Sequence, residues 1–261
     1  MYWSHATAGN FNAASKNLWT AFGDDAGKII DALIFEPSLS TDVAFFMRRR
    51  LKLPCNFDLA RQIMGGNFFG PKEAVDHFGV TYGTKERSDL GEIPFMAETL
   101  EEKKETHILI AAPAMCLLEF VERMHEKGFG HLIRIPGTKF AEADYAISAD
   151  APSWRLVRKT PVPESLGKNP EKQKLLLMSD EYVPSLKHIV FAIIGHYLAT
   201  GVHLFGDVRV NCREYDAPFA QDDITQPITV GQFGPKGLFM GSTFWLYGND
   251  LGLASAVKPL V

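Results

Sequence analysis

The chain has 261 residues, of which 46% are hydrophobic and 22% charged, and its formal net charge at pH 7 is -4. These values are typical of a soluble globular protein with one large domain or two small ones. The acidic balance argues against non-specific nucleic-acid binding, which requires a basic surface.

The three cysteines, Cys55, Cys116 and Cys212, are far apart in the sequence and odd in number. Because they form neither a disulfide framework nor CxxC metal spacing, they indicate a reducing compartment. The N-terminus lacks the basic and apolar regions of a signal peptide, and no apolar run is long enough for a membrane span. We therefore expect a cytoplasmic protein, or one exported by a route that leaves no signal in the sequence.

The first part of the chain is mainly helical in pattern. Helices are expected at segments 26–35, 55–64, 97–104 and 116–127, and the last of these has clear helical periodicity. Segment 43–51 predicts a further helix with three consecutive arginines. These favour a solvated helix end, with a phosphate or partner patch as the alternative: Arg48, Arg49 and Arg50.

A glycine-rich turn precedes the next predicted helix, for which Pro71 suits the first position. Glycines ahead of a helix can cradle phosphate, but Gly65, Gly66 and Gly70 fit neither GxGxxG nor GxxxxGK[ST]. We therefore interpret the stretch as a turn and a helix start. The polar segment 84–90 is expected to be a loop.

Two strands are expected in the first half. The apolar run within segment 106–115 is the clearer one, and segment 131–135 predicts the second. Helices come before and between them, and this order suggests a small α/β layer with a parallel pair.

The second half predicts an α+β arrangement. Strands are expected at segments 154–162, 207–213 and 227–233, and helices at segments 169–178 and 184–200. The last helix carries a wide apolar stripe. A division near residues 136–153 would separate a mixed helical and α/β region, residues 1–140, from an α+β domain, residues 150–261.

The tail of the chain, residues 230–261, has three parts. Its lead-in is strand-prone, and LGLASA at residues 251–256 suits a final buried strand. Between them, residues 239–250 mix aromatic side chains with small polar ones and show no clean period. This composition is typical of binding loops, because Tyr and Trp give large contact area at low entropy cost, and also of ordinary surface loops.

Histidines and cysteine offer two candidate catalytic groups. His188, His196 and His203 are the densest histidine group, but His188 and His196 are eight positions apart, about 80° around a helix. A hydrogen-bonded core histidine is therefore favoured over a metal ligand at His196. Cys116 lies where a strand passes into a helix, a position that can activate a thiol as a nucleophile, but a buried structural cysteine is favoured. Its candidate partners in a nucleophile pair are His107, His125 and His131.

An acidic group could supply oxygen ligands to a hard cation: Glu214, Asp216, Asp222 and Asp223. It lacks the alternating D-x-D-x-D-G pattern, so a solvated loop is favoured. The sequence predicts no metal site, no cofactor and no catalytic residue set.

Five segments resemble a group of bacterial proteins of largely unassigned function: 66–79, 154–166, 193–205, 230–238 and 251–256. The stretch between the last two looks like the variable region of diversity-generating retroelement target proteins. That resemblance implies a C-type-lectin-like C-terminal domain, preceded here by a helical, partly α/β N-terminal portion. Val257 stands where the family pattern has arginine.

Such elements mutate adenines, so an asparagine codon can yield many residue types but neither Met nor Trp. The resemblance therefore implies fixed scaffold positions at Met240 and Trp245. Leu238, Leu251 and Leu253 are expected to pin the strands around the variable stretch. The expected ligand-binding residues, with Trp245 as the anchor, are Phe239, Gly241, Ser242, Thr243, Phe244, Trp245, Leu246, Tyr247, Asn249 and Asp250.

The sequence thus predicts a non-enzymatic molecule that binds a protein or a small molecule at its C-terminal surface. Exposed substitutions there would shift stability by only about 0.5 kcal/mol. Two alternatives stay open. One is a small cytoplasmic enzyme that uses Cys116 or the group of His188, His196 and His203, and the other is a structural component of a phage or mobile element.

Overall fold

Two β-sheets form the framework of the chain from Pro54 onwards. The structure is a computed structural model that describes residues 16–17, 20–21, 23–36, 43, 54–134, 140, 143–215, 227–242 and 249–260. In chain order the strands are β1 (Phe68–Phe69), β2 (His107–Ala112), β3 (Ile133–Arg134), β4 (Ser153–Arg158), β5 (Glu181–Tyr182), β6 (Arg209–Tyr215), β7 (Pro227–Gly234), β8 (Gly237–Ser242), β9 (Leu251–Leu253) and β10 (Ala256–Val257). The first sheet has the order β1-β2-β4-β10-β5 and the second the order β3-β8-β7-β6-β9.

Both sheets are mixed. In the first, β1 and β2 are parallel, and the pairs β2–β4, β4–β10 and β10–β5 are antiparallel. In the second, β7 is antiparallel to both β6 and β8, while β3–β8 and β6–β9 are parallel. The fold class is therefore α+β, as expected.

The helices follow in chain order as α1 (Ala26–Phe35), α2 (Phe57–Met64), α3 (Pro71–Glu73), α4 (Thr84–Asp89), α5 (Ala97–Lys103), α6 (Leu117–Glu126), α7 (Asp144–Ile147), α8 (Pro170–Lys174) and α9 (Leu186–Thr200). The expected helices at α1, α2, α5 and α6 are confirmed. Asn56 starts α2 by accepting a hydrogen bond from Leu59 N at 2.8 Å. Helix α3 begins at Pro71 and continues into a π-helical turn, Ala74–Phe78.

Helix α9 lies between the two sheets and organises the core. It contacts β1, β2 and β4 of the first sheet and β6 and β7 of the second. Every residue from Leu186 to His196 is buried, so the helix is covered on all sides rather than along one stripe. Gly201, with φ of 74°, ends the helix in the left-handed conformation.

Aromatic rings fill the space beside α9. The ring of Phe120 lies 4.9 Å from that of Phe78 and 4.8 Å from that of Phe191, and Phe69 lies 4.9 Å from Phe78. Offset and edge-to-face contacts at these distances contribute beyond the burial of area alone. This cluster anchors α9 and α6 to the first sheet.

Two sequence-based expectations in the first half are wrong. Segment 84–90 contains α4 rather than a loop, because Gly83 N donates to Glu86 Oε2 at 2.8 Å and Arg87 Nε donates to Tyr82 O at 3.0 Å. These local bonds support a solvent-exposed turn of helix that has no apolar face for periodicity to reveal. Strand β3 does not pair with β2; it lies in the second sheet, parallel to β8.

The division into compact units also differs from the expected one. The units are Met1–Leu53 and Pro54–Val261, whereas the sequence suggested a boundary near residues 136–153. Strands β2 and β4 stand on either side of that suggested boundary and are neighbours in one sheet, from His107↔Arg158 to Ala112↔Ser153. Long-range pairing of this kind leaves no signal in composition.

In the first unit, the described residues form mainly α1 and the 3-10 turn Gly23–Asp25 that precedes it. Lys28 Nζ lies 2.9 Å from Asp25 Oδ1. Of the expected helix at 43–51, only Val43 belongs to the described residues, and Arg48, Arg49 and Arg50 lie outside them.

The end of the tail contributes to both sheets. The sequence predicted one buried strand over residues 251–256, but β9 belongs to the second sheet and β10 to the first. Between them, Ser255 is fully buried: its carbonyl accepts from Arg158 N at 3.0 Å, and its hydroxyl donates to Glu181 Oε1 at 3.2 Å. The tail therefore ties the two sheets together. Among the described residues, no helix has both the length and the apolar character needed to cross a membrane.

Candidate ligand-binding surface

One face of the second sheet carries a row of aligned residues. Arg209 of β6 pairs with Gly231 of β7, Gly231 pairs with Phe239 of β8, and Phe239 pairs with Arg134 of β3. Residues paired across neighbouring strands project to the same face of a sheet. The Phe239 ring consequently has the guanidinium of Arg134 at 5.8 Å and that of Arg209 at 5.9 Å. Both lie within cation–π range.

Gly231 keeps the middle of this row free of a side chain. Its φ is 144°, which side-chain-bearing residues rarely adopt. A Cβ atom at this position would collide with Val208 O and lie 2.8 Å from Arg209 Cα. The glycine thus permits close approach of β6 and β7 and leaves space between Arg209 and Phe239.

Asp250 is fixed to the same face. Its Oδ2 accepts from Arg209 Nε at 3.1 Å, from Arg209 Nη2 at 3.0 Å and from Gln232 Nε2 at 3.1 Å. Its carbonyl accepts from Arg209 N at 2.8 Å. Charge-assisted bonds of this kind hold both side chains in one geometry. We call the surface formed by Arg134, Arg209, Gln232, Phe239 and Asp250 the Arg–Phe face.

A cavity of about 310 Å³ opens at the edge of the Arg–Phe face, lined by Arg134, Gln232 and Phe239 together with Pro235 and Lys236 of the β7–β8 turn. Its charged side chains are both cationic, although the protein as a whole is acidic. The described part of this surface can therefore contact an aromatic or anionic group.

The opposite side of β8 faces the core. Leu238 and Met240 are both fully buried, in alternation with the half-buried Phe239. Leu251 and Leu253 of β9 are also buried, 4% and 2% exposed, as expected for residues that pin the strands. An inward row of fixed side chains and an outward row of accessible ones is the pattern of a half-buried strand.

The expected binding residues fall into four sets. Phe239 and Asp250 are half-buried and Asn249 is exposed, so these three reach the surface. Gly241 is buried within β8, where its carbonyl accepts from Thr229 Oγ1 at 2.9 Å, so it serves the sheet rather than a contact surface. Strand β8 ends at Ser242. The remaining ones lie outside the described residues: Thr243, Phe244, Trp245, Leu246 and Tyr247.

Arg134, Arg209 and Gln232 were not predicted as site residues from the sequence. Arg209 is 41 positions from Asp250, and Gln232 is 18 positions from it. For Arg209, the sequence did carry a signal: in DVRVNCR, residues 207–213, a charged residue alternates with valines, and this pattern indicates an outward-facing side chain on a strand. Only the sheet register shows that these side chains meet.

The three candidate histidines do not come together. His188 is buried; its Nδ1 lies 2.7 Å from Ser185 Oγ and its Nε2 lies 3.8 Å from Asp150 Oδ2. Burial lowers the pKa of His188 to about 3, and the charge of Arg155 acts in the same direction. His196 is buried with an Nδ1 that has no hydrogen-bond partner. The exposed His203 ring lies 4.5 Å from that of Tyr197.

The Ser185–His188–Asp150 chain resembles a hydrolase triad in composition but not in access. Ser185 is 1% exposed, which keeps a substrate carbonyl away from its hydroxyl. It also occupies the N-cap position of α9, so its bond to His188 stabilises the first turn of that helix. Within the described residues, no group of three or more His, Cys, Asp or Glu side chains could hold a metal ion.

The cysteine and acidic candidates have structural partners. Cys116 is the N-cap of α6, where its Sγ accepts from Glu119 N at 3.4 Å, and no hydrogen bond in the described structure joins it to His107, His125 or His131. Cys212 is buried, which raises the pKa of its thiol and keeps it protonated. Glu214 Oε2 accepts from Leu186 N at 2.7 Å at the start of α9. Asp216, Asp222 and Asp223 lie outside the described residues.

Comparisons of the chain with protein-family models, with curated proteins and with solved structures found no match. The function must therefore be inferred from the residues of the chain itself.

Proposed function

We propose that the protein is a non-enzymatic binding protein whose recognition surface is the Arg–Phe face together with the segment between β8 and Asp250. The ligand would be a protein or a small molecule. The observation that carries this proposal is the position of Phe239: the ring is half-exposed, lies between two guanidinium groups and stands on a strand whose other side is fully buried. Aromatic and arginine side chains are the residues most enriched at binding hot spots.

The frame around Phe239 supports a role in recognition because it is rigid. The inward residues of β8 and β9 are core residues, and Asp250 is held by three hydrogen bonds at the point where the chain re-enters the sheet. A binding site with pre-ordered side chains loses less conformational entropy when a ligand binds. The outward side chain at Phe239 can change without altering the buried residues of this frame.

The retroelement resemblance supports a more specific form of the proposal. The segment between β8 and β9 would be a diversified loop, displayed by a C-type-lectin-like C-terminal domain. Met240, which adenine mutagenesis cannot produce from an asparagine codon, is fully buried as a scaffold position should be. Phe239 and Asp250 would be variable positions at the two ends of the loop.

Binding can be tested with a random peptide display library panned against the immobilised protein. Recovered peptides are then measured against the wild type and against Phe239→Ala, Arg134→Ala and Leu175→Ala. Leu175 is 85% exposed and lies outside the Arg–Phe face, so it controls for the loss of an exposed apolar side chain. We expect Phe239→Ala to weaken binding about tenfold or more, the loss expected of an aromatic hot spot.

Peptides that bind the wild type and Phe239→Ala equally well would contradict the assignment of the Arg–Phe face. An equal loss in Leu175→Ala would also contradict it. Thermal unfolding of each variant shows whether a loss reflects binding or folding.

Diversification has a separate test in the DNA that surrounds the gene. We expect a reverse transcriptase gene and a near-copy of the 3′ end that differs mainly at adenines. Sequencing that finds neither would remove the diversified loop from the proposal and leave the binding surface to the peptide experiment.

A further inference from the structure

The cavity at the edge of the Arg–Phe face is lined by two exposed cations, Arg134 and Lys236. None of the described residues that line this cavity is an aspartate or a glutamate. The protein nevertheless carries more acidic than basic residues, 31 against 27. Two cations that share a cavity without a carboxylate create a local positive potential, which favours an anionic ligand.

Arg134 has hydrogen-bond donors to offer such a ligand. Among the described residues its guanidinium makes no ion pair and no hydrogen bond, and its contact is with the Phe239 ring, 5.8 Å away. A guanidinium stacked on a ring still directs its N–H groups outward in its own plane, so Arg134 can bind an anion without leaving Phe239. Arg209, the other guanidinium beside this ring, differs because Asp250 accepts from its Nε and Nη2. An anion is therefore expected at the Arg134 end of the face.

Lys236 belongs to a turn with little conformational freedom. Gly234 of β7 pairs with Gly237 of β8, and the two residues between them, Pro235 and Lys236, form the turn. Proline restricts its own φ, and Gly237 has a φ of 86°, which residues with side chains seldom adopt. In the part of the chain that the structure describes, the Lys236 ammonium group forms neither an ion pair nor a hydrogen bond. It is therefore a second available cation, on a different element from Arg134.

The two cations and the ring suit a phosphate attached to an aromatic group. A single guanidinium can bond both oxygens of a carboxylate. A phosphate ester has three acceptor oxygens and about −1.5 to −2 charges at neutral pH, so it can bind donors on two separate elements. Beside these donors, the half-buried Phe239 ring offers an apolar surface, and Gly231 leaves the neighbouring position without a side chain. An aromatic ring on the phosphate has space to pack against Phe239.

We propose that the Arg–Phe face recognises an aryl phosphate. The phosphate contacts Arg134 and Lys236, and the aromatic ring packs on Phe239 beside the gap at Gly231. This inference rests on the proposed binding function and narrows its ligand to one chemical class. The group can come from a free aryl phosphate or from a phosphotyrosine side chain of a peptide, since both present the same atoms.

Nuclear magnetic resonance titrations of the full chain separate the parts of this group. Phenyl phosphate carries both the ring and the dianion, inorganic phosphate lacks the ring, phenol lacks the anion, and benzoate has a single charge. We expect phenyl phosphate to bind saturably at millimolar concentration and about fivefold or more tightly than each of the others, because each of these lacks one contact. Absence of saturable binding by phenyl phosphate would overturn the proposal. Equally tight binding of inorganic phosphate would overturn the role of the ring, and equally tight binding of benzoate would overturn the choice of phosphate.

A short peptide with phosphotyrosine between alanines distinguishes the two sources. Tighter binding of this peptide than of phenyl phosphate indicates a protein partner, and weaker or equal binding indicates a free compound; both results support the aryl phosphate site. The same peptide with unmodified tyrosine should bind more weakly than its phosphorylated form. Equal binding of the two peptides would overturn the proposal.

Matched variants place the phosphate in the cavity. Arg134→Gln and Lys236→Gln should each weaken the binding of phenyl phosphate about fivefold, the effect of losing one exposed charged hydrogen bond. Lys172→Gln, which removes an exposed lysine that does not line the cavity, should leave this binding unchanged. Phe239→Ala should remove the preference for phenyl phosphate over inorganic phosphate. Equal losses in Lys172→Gln and Lys236→Gln would show that net charge governs binding and would overturn the site.

Failure of this proposal differs from failure of the proposed function. Library peptides that need Phe239 but bind Arg134→Gln and Lys236→Gln like the wild type would leave the binding surface in place and remove its phosphate specificity. Library peptides that do not need Phe239 would remove the surface itself.

Discussion

Two buried histidines, His107 and His188, make the stability of the fold depend on pH. His107 is fully buried on β2, with Nδ1 2.8 Å from Thr106 Oγ1 and Nε2 3.9 Å from Glu181 Oε1. Burial lowers its pKa to about 4, and the positive charge of Arg158 adds to this effect. His188, on α9, has a pKa of about 3 for the same main reason. Both imidazoles are therefore neutral in the folded protein near pH 5, while in the unfolded chain they are protonated.

We predict that the free energy of unfolding falls as the pH is lowered from 7 to 5. Each histidine has a pKa near 6.5 in the unfolded chain, but its pKa in the folded protein is about 4 (His107) or about 3 (His188). At a pH between these values the histidine is protonated only in the unfolded state, so lowering the pH favours unfolding. Each histidine should contribute a loss of about 2 kcal/mol over this interval. Urea unfolding of the wild type and of His107→Gln at several pH values measures the effect. In His107→Gln, the free energy of unfolding should change less steeply with pH, by the equivalent of about one bound proton. An unchanged slope would contradict the assignment to His107.

The Arg209–Asp250 contact allows a second prediction about single side chains. Asp250→Ala removes an acceptor shared by Arg209 and Gln232 and should lower the free energy of unfolding by about 1–2 kcal/mol. Because the two ionic side chains are 16% and 32% exposed, a larger loss is not expected. Asp76→Ala is the control, since the Lys72–Asp76 pair is 76% and 51% exposed and its loss should change stability much less. A double-mutant cycle of Arg209→Ala and Asp250→Ala that gives no coupling would refute this contact.

At the scale of elements, the closeness of β6 and β7 depends on one glycine. Gly231→Ala would place a Cβ against Val208 O in a backbone conformation that only glycine adopts readily. We expect a loss of about 2 kcal/mol or more, from steric overlap and backbone strain together. At Gly234 in the same strand, a Cβ would have no heavy atom within 4 Å apart from those of its chain neighbours, so Gly234→Ala should change stability by about 0.5 kcal/mol or less. Thermal and urea unfolding of the pair measure the difference; similar losses in both would argue against the close approach at Gly231.

Elements with local signals were predictable from the sequence, and their arrangement was not. Pro71 marks a helix start through contacts within a few positions, and α3 begins there as expected; Asn56 and Gly201 mark helix ends in the same local way. Sheet order depends on partners distant in the chain, so β3 was assigned beside β2 rather than β8. The binding surface shows the same limit: Phe239 and Asp250 were expected at the surface, whereas the arginines that position them became visible only through the strand register.

At the scale of the whole molecule, the second compact unit contains both sheets and α9. A unit with its own hydrophobic core is expected to fold alone. We therefore predict that residues 54–261, expressed without the preceding segment, unfold cooperatively in urea with a far-ultraviolet circular dichroism spectrum typical of mixed α and β structure. A fragment that unfolds without a cooperative transition would show that Met1–Leu53 is needed for this core.

Strand β10 fills an interior place in the first sheet, between β4 and β5, although it follows every strand of the second sheet in the chain. A frameshift between the codons of β8 and those of β9 therefore removes β10 from the encoded protein. The resulting polypeptide would leave the backbone edges of β4 and β5 open, and open edges promote aggregation. Folding of the first sheet therefore depends on the reading frame being kept to the last codons of the gene, because two residues near the end of the chain supply one of its interior strands.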